Sequence, residues 1–257
     1  MSEQMTLTEL AEYGVTIPPT QDELPYSDGI PMESQRHVLQ MQMLIDILLL
    51  LWADRQDIFV GGNMFVYYSL EQVRNKDFNG PDVFVVLDVP RRERKSWVVW
   101  EEGKAPDLVI ELLSESTANR DKVEKKQVYQ NRLRVPNYFW FDPFSGELAG
   151  FALQNGVYAE IQPDAQNRLI SQQLGLALVR WEGIYQGVTA RWLRWETLEG
   201  DLLPTAEELA SLERQRAQEA TRQAQEATRQ MQAAQLQAAE LESMLARYRD
   251  RFGELPE

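Results

Sequence analysis

Two short apolar runs in this chain each open on Pro-Asp: Pro81-Asp82-Val83-Phe84-Val85-Val86 and Pro106-Asp107-Leu108-Val109-Ile110-Glu111-Leu112-Leu113. The second carries a carboxylate, Glu111, between two aliphatic neighbours. Desolvating a lone carboxylate there is costly, so Glu111 needs a cation, a hydrogen-bond network or a metal as partner. If Asp82 and Glu111 face one cleft, their oxygens suit a hard divalent ion such as magnesium, with manganese as a substitute. Alternation along an extended strand puts Asp107, Val109, Glu111 and Leu113 on one face.

An acidic pair on adjacent strands can hold magnesium beside a phosphodiester, and a nearby cation can stabilise the charge that develops during hydrolysis. This is the logic of the PD-(D/E)XK nuclease pattern, in which the lysine lies two residues beyond the second acid. Here that position is Leu113, so the strict pattern fails. A substitute follows closely. Asp121, Lys125 and Tyr129 recur at i, i+4 and i+8 on one face of the next helix, and Lys125 could reach back over the strand end. Lys126 is the alternative, about 100° round the helix. The plainer reading makes Lys125 a surface residue paired with Asp121.

Motif order adds weight. The series Pro81-Asp82, Pro106 to Thr117, Asp121…Lys125…Tyr129 and Val135-Pro136-Asn137-Tyr138-Phe139-Trp140-Phe141-Asp142-Pro143 resembles the Uma-two family of restriction-endonuclease-like proteins, abundant in cyanobacteria. The resemblance covers about residues 30–190. It implies a PD-(D/E)XK fold with a migrated lysine, Asp82 and Glu111 as metal ligands, and Lys125 as catalytic cation. Glu33 matches the family's additional acidic residue, and His37, the only histidine, matches a frequent family histidine one turn later. His37, Asp107, Asp121, Lys126 and Tyr129 are then supporting or alternative residues. For His37 the plainer reading is structural. Two positions depart from the family: Glu115 replaces its usual proline, and Arg134-Val135 replaces its usual Gly-Val.

The elements that must carry these residues are legible in outline. Residues 1–31, with Pro18, Pro19, Pro25, Gly29 and Pro31, read as a loop-rich arm. Ser34 is a good helix cap, and Val38, Met41, Ile45, Leu48, Leu49 and Trp52 mark a buried helical face. Strands are expected at Ile58–Val60, Met64–Tyr68, Asp82–Leu87, Trp97–Trp100, Asp107–Leu113, Asn137–Phe141, Glu147–Leu153 and Val157–Ile161. A helix is expected at Ser116–Arg132, and a turn at Asp142–Gly146. This order predicts an α/β protein: a restriction endonuclease-like mixed sheet flanked by helices over 32–203.

A C-terminal helical extension covers 205–252. From Thr205 there is no glycine until Gly253 and no proline until Pro256, and Ala217-Gln218-Glu219-Ala220-Thr221-Arg222-Gln223 recurs unchanged at 224–230. A seven-residue period is that of a coiled coil. Its seam would run through Ala217, Ala220, Ala224, Ala227, Met231, Ala234, Ala238, Leu241, Leu245, Tyr248 and Phe252, weak in its alanine half and stronger towards the end. Self-association through this coil or through the sheet domain is expected.

The net charge of −14, from 26 basic and 40 acidic residues, argues against a general nucleic-acid coat protein. It leaves room for a nuclease whose basic residues are local, as in Arg91–Lys95 and Arg120–Arg134, although the plainer reading of each run taken alone is a solvated face. The chain has no cysteine, which excludes disulfides and thiolate chemistry and fits a reducing, cytoplasmic setting. No leader is expected, and the most apolar stretch, Val38 to Trp52, is too short and polar to span a membrane. The expected activity is a magnesium-dependent endonuclease acting on DNA. The competing expectation is a catalytically silent nuclease-fold scaffold or regulator that assembles through its coil.

Overall fold

The computed structural model describes residues 18–26, 34–69, 78–114 and 117–253. The chain divides into two units, Met1–Thr205 and Ala206–Glu257.

The first unit is built on a mixed six-stranded sheet. In chain order its strands are β1 (Ile58–Gly61), β4 (Val83–Leu87), β6 (Leu108–Leu112), β7 (Asn137–Phe141), β8 (Leu148–Gln154) and β9 (Val157–Glu160). They lie side by side in that same order, and only β6 and β7 run parallel. Both strands of the central β4–β6 pair are almost wholly buried. That fits their continuous aliphatic composition, because a strand covered on both faces has no need of polar alternation.

A small sheet joins β2 (Val66–Tyr67), β3 (Phe78–Asn79) and β5 (Trp97–Val98). After β5 the chain turns at once into a short helix, α2 (Val99–Glu102), which corrects the expected strand Trp97–Trp100. Trp100 is drawn away from the sheet direction by residues 18–26. Its indole donates to the Pro19 carbonyl at 2.8 Å, and Glu101 accepts from the Gln21 backbone at 2.9 Å.

A third sheet, β10 (Leu169–Ser171), β11 (Leu176–Tyr185) and β12 (Val188–Thr197), lies in a stretch where the sequence reading placed no elements. Trp192 and Trp195 from β12 are fully buried in the same core as Leu108, Ile110 and Phe139 of the main sheet.

Helix α1 (Gln35–Leu51) is capped by Ser34, whose side chain accepts from the His37 backbone. Its buried residues are His37, Gln40, Met43, Leu44, Ile47 and Leu48. The expected stripe is therefore rotated, and Val38 is 42 % exposed. The cause is α1's second neighbour, the edge strand β12. The Gln40 amide donates to the Leu193 carbonyl at 2.9 Å and accepts from the Leu193 N–H at 2.8 Å, completing the edge of that sheet. A polar side chain with both halves paired can be buried without loss.

The opposite face of the main sheet packs against helix α3. It is continuous over Arg120–Lys125, Lys126–Val128 and Tyr129–Leu133, and its two outer segments are π-wound. The second unit holds one long helix, α4 (Ala206–Phe252), with 47 residues. No described helix is long and apolar enough to cross a membrane.

Candidate active site

The antiparallel register pairs Val83 with Ile110, so Asp82 enters β4 beside the stretch of β6 that holds Glu111. One Asp82 oxygen accepts from the Leu112 backbone N–H at 2.7 Å. The approach is tight: Asn63 donates its backbone N–H to the Pro81 carbonyl at 3.0 Å. A Cβ on Gly62 would lie 2.5 Å from the Asp82 carbonyl, so only glycine lets the chain cross there.

Glu111 is fully buried and points towards α3. Its Oε2 meets Lys125 Nζ at 2.9 Å, and its Oε1 accepts from the Tyr129 hydroxyl at 2.7 Å. Lys125 also meets Asp121 Oδ1 at 2.8 Å. The winding of α3 suits this alignment. A π turn takes more residues than an α turn. The i, i+4 stripe therefore drifts one way through the π segment and back through the α turn, which keeps Asp121, Lys125 and Tyr129 in line. The Asp121 carbonyl in turn accepts from the Tyr138 hydroxyl at 2.8 Å, tying α3 to β7.

Glu111 and Asp121 thus share one ammonium, and the charge of Asp82 acts on it as well. Burial pushes Glu111 up to about 8 against the pull of Lys125, and pushes Asp82 up to about 6 against the same lysine and the Leu112 N–H. For Lys125 burial acts to lower the pKa, but Glu111, Asp121 and Asp82 outweigh it and hold the ammonium above the usual lysine range. Tyr129, buried against Glu111, is raised well above an ordinary tyrosine and serves as a fixed donor. Such a site has carboxylate to spare, and an added cation would relieve it.

Its donor chemistry suits a hard, oxygen-seeking ion. Among the described residues no three histidine, aspartate or glutamate side chains are arranged to hold a metal by themselves. A divalent ion at Asp82 and Glu111 would complete its shell with water, as magnesium commonly does.

The other predicted residues fall in distinct places. Lys126 turns away from Glu111: its ammonium lies 3.3 Å from the Phe151 ring centroid, and burial lowers its pKa. Asp107 sits before the start of β6, accepting from the Leu87 backbone at 2.7 Å and pairing with Lys104 at 2.9 Å. That is the geometry of a strand-start clamp. His37 is buried, with Nε2 3.0 Å from the Leu113 carbonyl and Nδ1 2.8 Å from the Ser34 hydroxyl. A carbonyl can only accept, so Nε2 carries a proton and donates it to Leu113. His37 therefore ties the start of α1 to the end of β6. Glu33 lies outside the described residues.

Two features of this region escaped the sequence reading, which placed the turn at Asp142–Gly146 but not what gathers at its tip. One is the Leu112 N–H that orients Asp82, which no side-chain pattern signals. The other is the tip of that turn after β7, where Phe144 is 62 % exposed beside Arg36 and His37. The sequence marks that turn only by Asp142, Pro143 and Gly146.

The family model described as "Putative restriction endonuclease", Uma2, matches residues 10–187. The chain belongs to the Uma2 family. The Uma2 match takes in every site residue described above, and with it the restriction endonuclease-like α/β class. A crystal structure described as that of "a putative nuclease belonging to DUF820 from Anabaena variabilis" is similar at 17 % identity, covering 63 % of this Uma2 chain and 88 % of that one, with a TM-score of 0.40. The comparison with curated proteins returns no match.

Proposed function

We propose that this chain is a magnesium-dependent endodeoxyribonuclease with Asp82, Glu111 and Lys125 at its centre. The observation that carries this reading is the Glu111–Lys125 contact at 2.9 Å, which supplies from the next helix the cation that Leu113 cannot. Membership in a family described as restriction endonucleases supports DNA as substrate.

In this reading Asp82 and Glu111 hold the ion, with manganese as a substitute for magnesium and Glu33 as a further acidic ligand. Bound there, the metal would polarise a phosphoryl oxygen and make its own water more acidic. The chain's residues do the rest. Leu112 N–H and Tyr129 fix the two carboxylates before substrate arrives, so little reorganisation is needed. The ammonium of Lys125 faces the charge that builds on the phosphate oxygens as water attacks in line. Asp121 keeps that ammonium charged and aimed. His37 and Asp107 hold the strand ends in place.

We further propose that the α4 helix pairs with a second copy as a coiled coil, giving the two sites that cutting both strands requires, and that the protein works in the cytoplasm.

The test is to incubate the protein with supercoiled and linear DNA in magnesium or manganese. Wild type should cut, and Glu111→Ala should cut at least roughly 100-fold more slowly, the scale on which a main electrostatic contributor is missed. Intact DNA with wild type, or equal cutting by Glu111→Ala, rejects the mechanism.

A further inference from the structure

Strands β6 and β7 run parallel and end together, with Leu112 opposite Phe141 and the Leu113 N–H donating to the Phe141 carbonyl at 2.7 Å. The turn after β7 therefore sits at the same edge of the sheet as Asp82 and Glu111. It is firmly built. Asp142 Oδ1 accepts from the Phe144 N–H at 2.8 Å and the Ser145 N–H at 3.1 Å, and Gly146 closes the turn at φ +77°.

At its tip Phe144 is 62 % exposed. The Arg36 guanidinium lies 5.0 Å from its ring centroid and donates to the Pro143 carbonyl at 3.3 Å. His37, whose Nε2 holds the Leu113 carbonyl, packs against the same ring at 5.8 Å. Among the described residues Arg36 has no carboxylate partner, in a chain with 14 more acidic than basic residues.

A single exposed phenylalanine is ordinary on a protein surface. This one differs in three ways. It is held on a hydrogen-bonded turn, one face of its ring is covered by the Arg36 guanidinium, which has no carboxylate partner among the described residues, and the brace connects through His37 to the end of the strand that carries Glu111. A ring in that position offers a stacking platform at the margin of a phosphodiester-cleaving site, and bases stack on such rings whatever their sequence.

We propose that Phe144 stacks against an unpaired base of the DNA strand being cut, and that Arg36 binds an adjacent phosphate. The occupant is a single-stranded or locally opened segment, and the role is positioning. The proposal rests on the nuclease reading above, and the experiment separates the two.

Binding of fluorescein-labelled oligothymidylate is measured by anisotropy, with calcium in place of magnesium, for wild type, Phe144→Ala, Phe144→Leu and Phe144→Trp. Loss of one base–aromatic stack should weaken binding roughly 5- to 100-fold in the Ala and Leu variants, while Trp retains it. The Leu variant keeps the apolar bulk, so its loss reports the ring face and not the fold of the turn. Arg36→Gln should lower the slope of log affinity against log salt by about one. Wild type that binds and cuts DNA, with Phe144→Ala and Phe144→Leu equal to it, overturns this proposal and leaves the nuclease reading standing. Wild type that binds neither oligothymidylate nor duplex overturns both. An unchanged salt slope removes Arg36 from the phosphate role.

Discussion

At the scale of single residues, the decisive contrast is between two neighbouring lysines. Lys125 stands between Glu111 and Asp121, and Lys126 lies over Phe151. Replacing Lys125 by methionine should cost roughly 100- to 1000-fold in cleavage rate if its charge serves the transition state. It should also destabilise the fold by about 1–3 kcal/mol, because buried acceptors lose their donor. Lys126→Met should keep cleavage near wild type. The reverse result would place the catalytic charge on the wrong side of the helix.

The carboxylates make a second residue-scale prediction through pH. Both have folded pKa values above their ordinary ones, Asp82 at about 6 and Glu111 at about 8. The folded state therefore favours their neutral forms. The stability they contribute is complete below the unfolded values and is lost as pH rises through the folded ones. Without divalent metal, thermal stability should fall between about pH 5 and pH 8, and Glu111→Gln should flatten the upper part of that fall. If the two carboxylates hold the ion as proposed, magnesium should restore more stability at the alkaline end, where both are ionised. Parallel profiles for wild type and Glu111→Gln would show that Glu111 stays ionised against Lys125 across the range.

At the scale of elements, the strands that carry Asp82 and Glu111 could be read because their cause is local. A Pro-Asp start, a run of Val and Ile, and a Gly or Asn at the turn are enough to mark β4 and β6, and Ser34 is enough to start α1. What escaped the reading has tertiary causes. The buried face of α1 is set by the edge of β12, some 150 residues away, through Gln40 and Leu193. Trp97–Trp100 changes from strand to helix where residues 18–26 hold Trp100. The sheet β10–β12 has strands whose outer halves alternate in burial and whose inner ends are buried on both faces, so no single period dominates. The site divides the same way. Asp82 and Glu111 could be proposed from residue type and strand position, while Lys125 stood out from Lys126 only through the family resemblance, and the π winding of α3 leaves no trace in composition.

The same helix supplies an element-scale prediction. Where the family resemblance leads one to expect glycine, Arg134 ends α3 in the left-handed region at φ 52° and ψ 42°. Its N–H and that of Val135 both reach back to the Tyr129 carbonyl, a helix-ending turn that glycine usually makes. Left-handed backbone costs a residue with a Cβ roughly 1–2 kcal/mol, and glycine returns part of that gain as lost chain entropy. Arg134→Gly should therefore raise stability by up to about 1 kcal/mol in chemical denaturation, with cleavage unchanged. A loss of stability would mean that the Arg134 side chain, packed against Gly156, contributes more than its backbone costs.

At the scale of the whole molecule, the long helix demands a partner on physical grounds. Its 47 residues span about 70 Å at the ordinary helical rise. From Ser211 to Arg251 every described side chain is exposed, including Met231, Leu241, Leu245 and Tyr248 of the heptad seam. Local support is limited to pairs such as Arg222 with Glu219 at 2.8 Å, and exposed pairs of that kind add only a few tenths of a kcal/mol. Helices in water draw most of their stability from burying an apolar face. Burial of this seam against its counterpart in a second copy would provide it, mainly through the Met231-to-Tyr248 half, because the alanine half buries little. Removing residues 206–257 should lower the mass measured by light scattering to that of a monomer, while the sheet unit keeps its near-ultraviolet circular dichroism. Replacing Leu241 and Leu245 together by Gln should do the same and shift the helical melt to lower temperature. An unchanged mass in both variants would move self-association to the sheet unit. In that case the two sites needed to cut both DNA strands would have to be paired through the sheet unit.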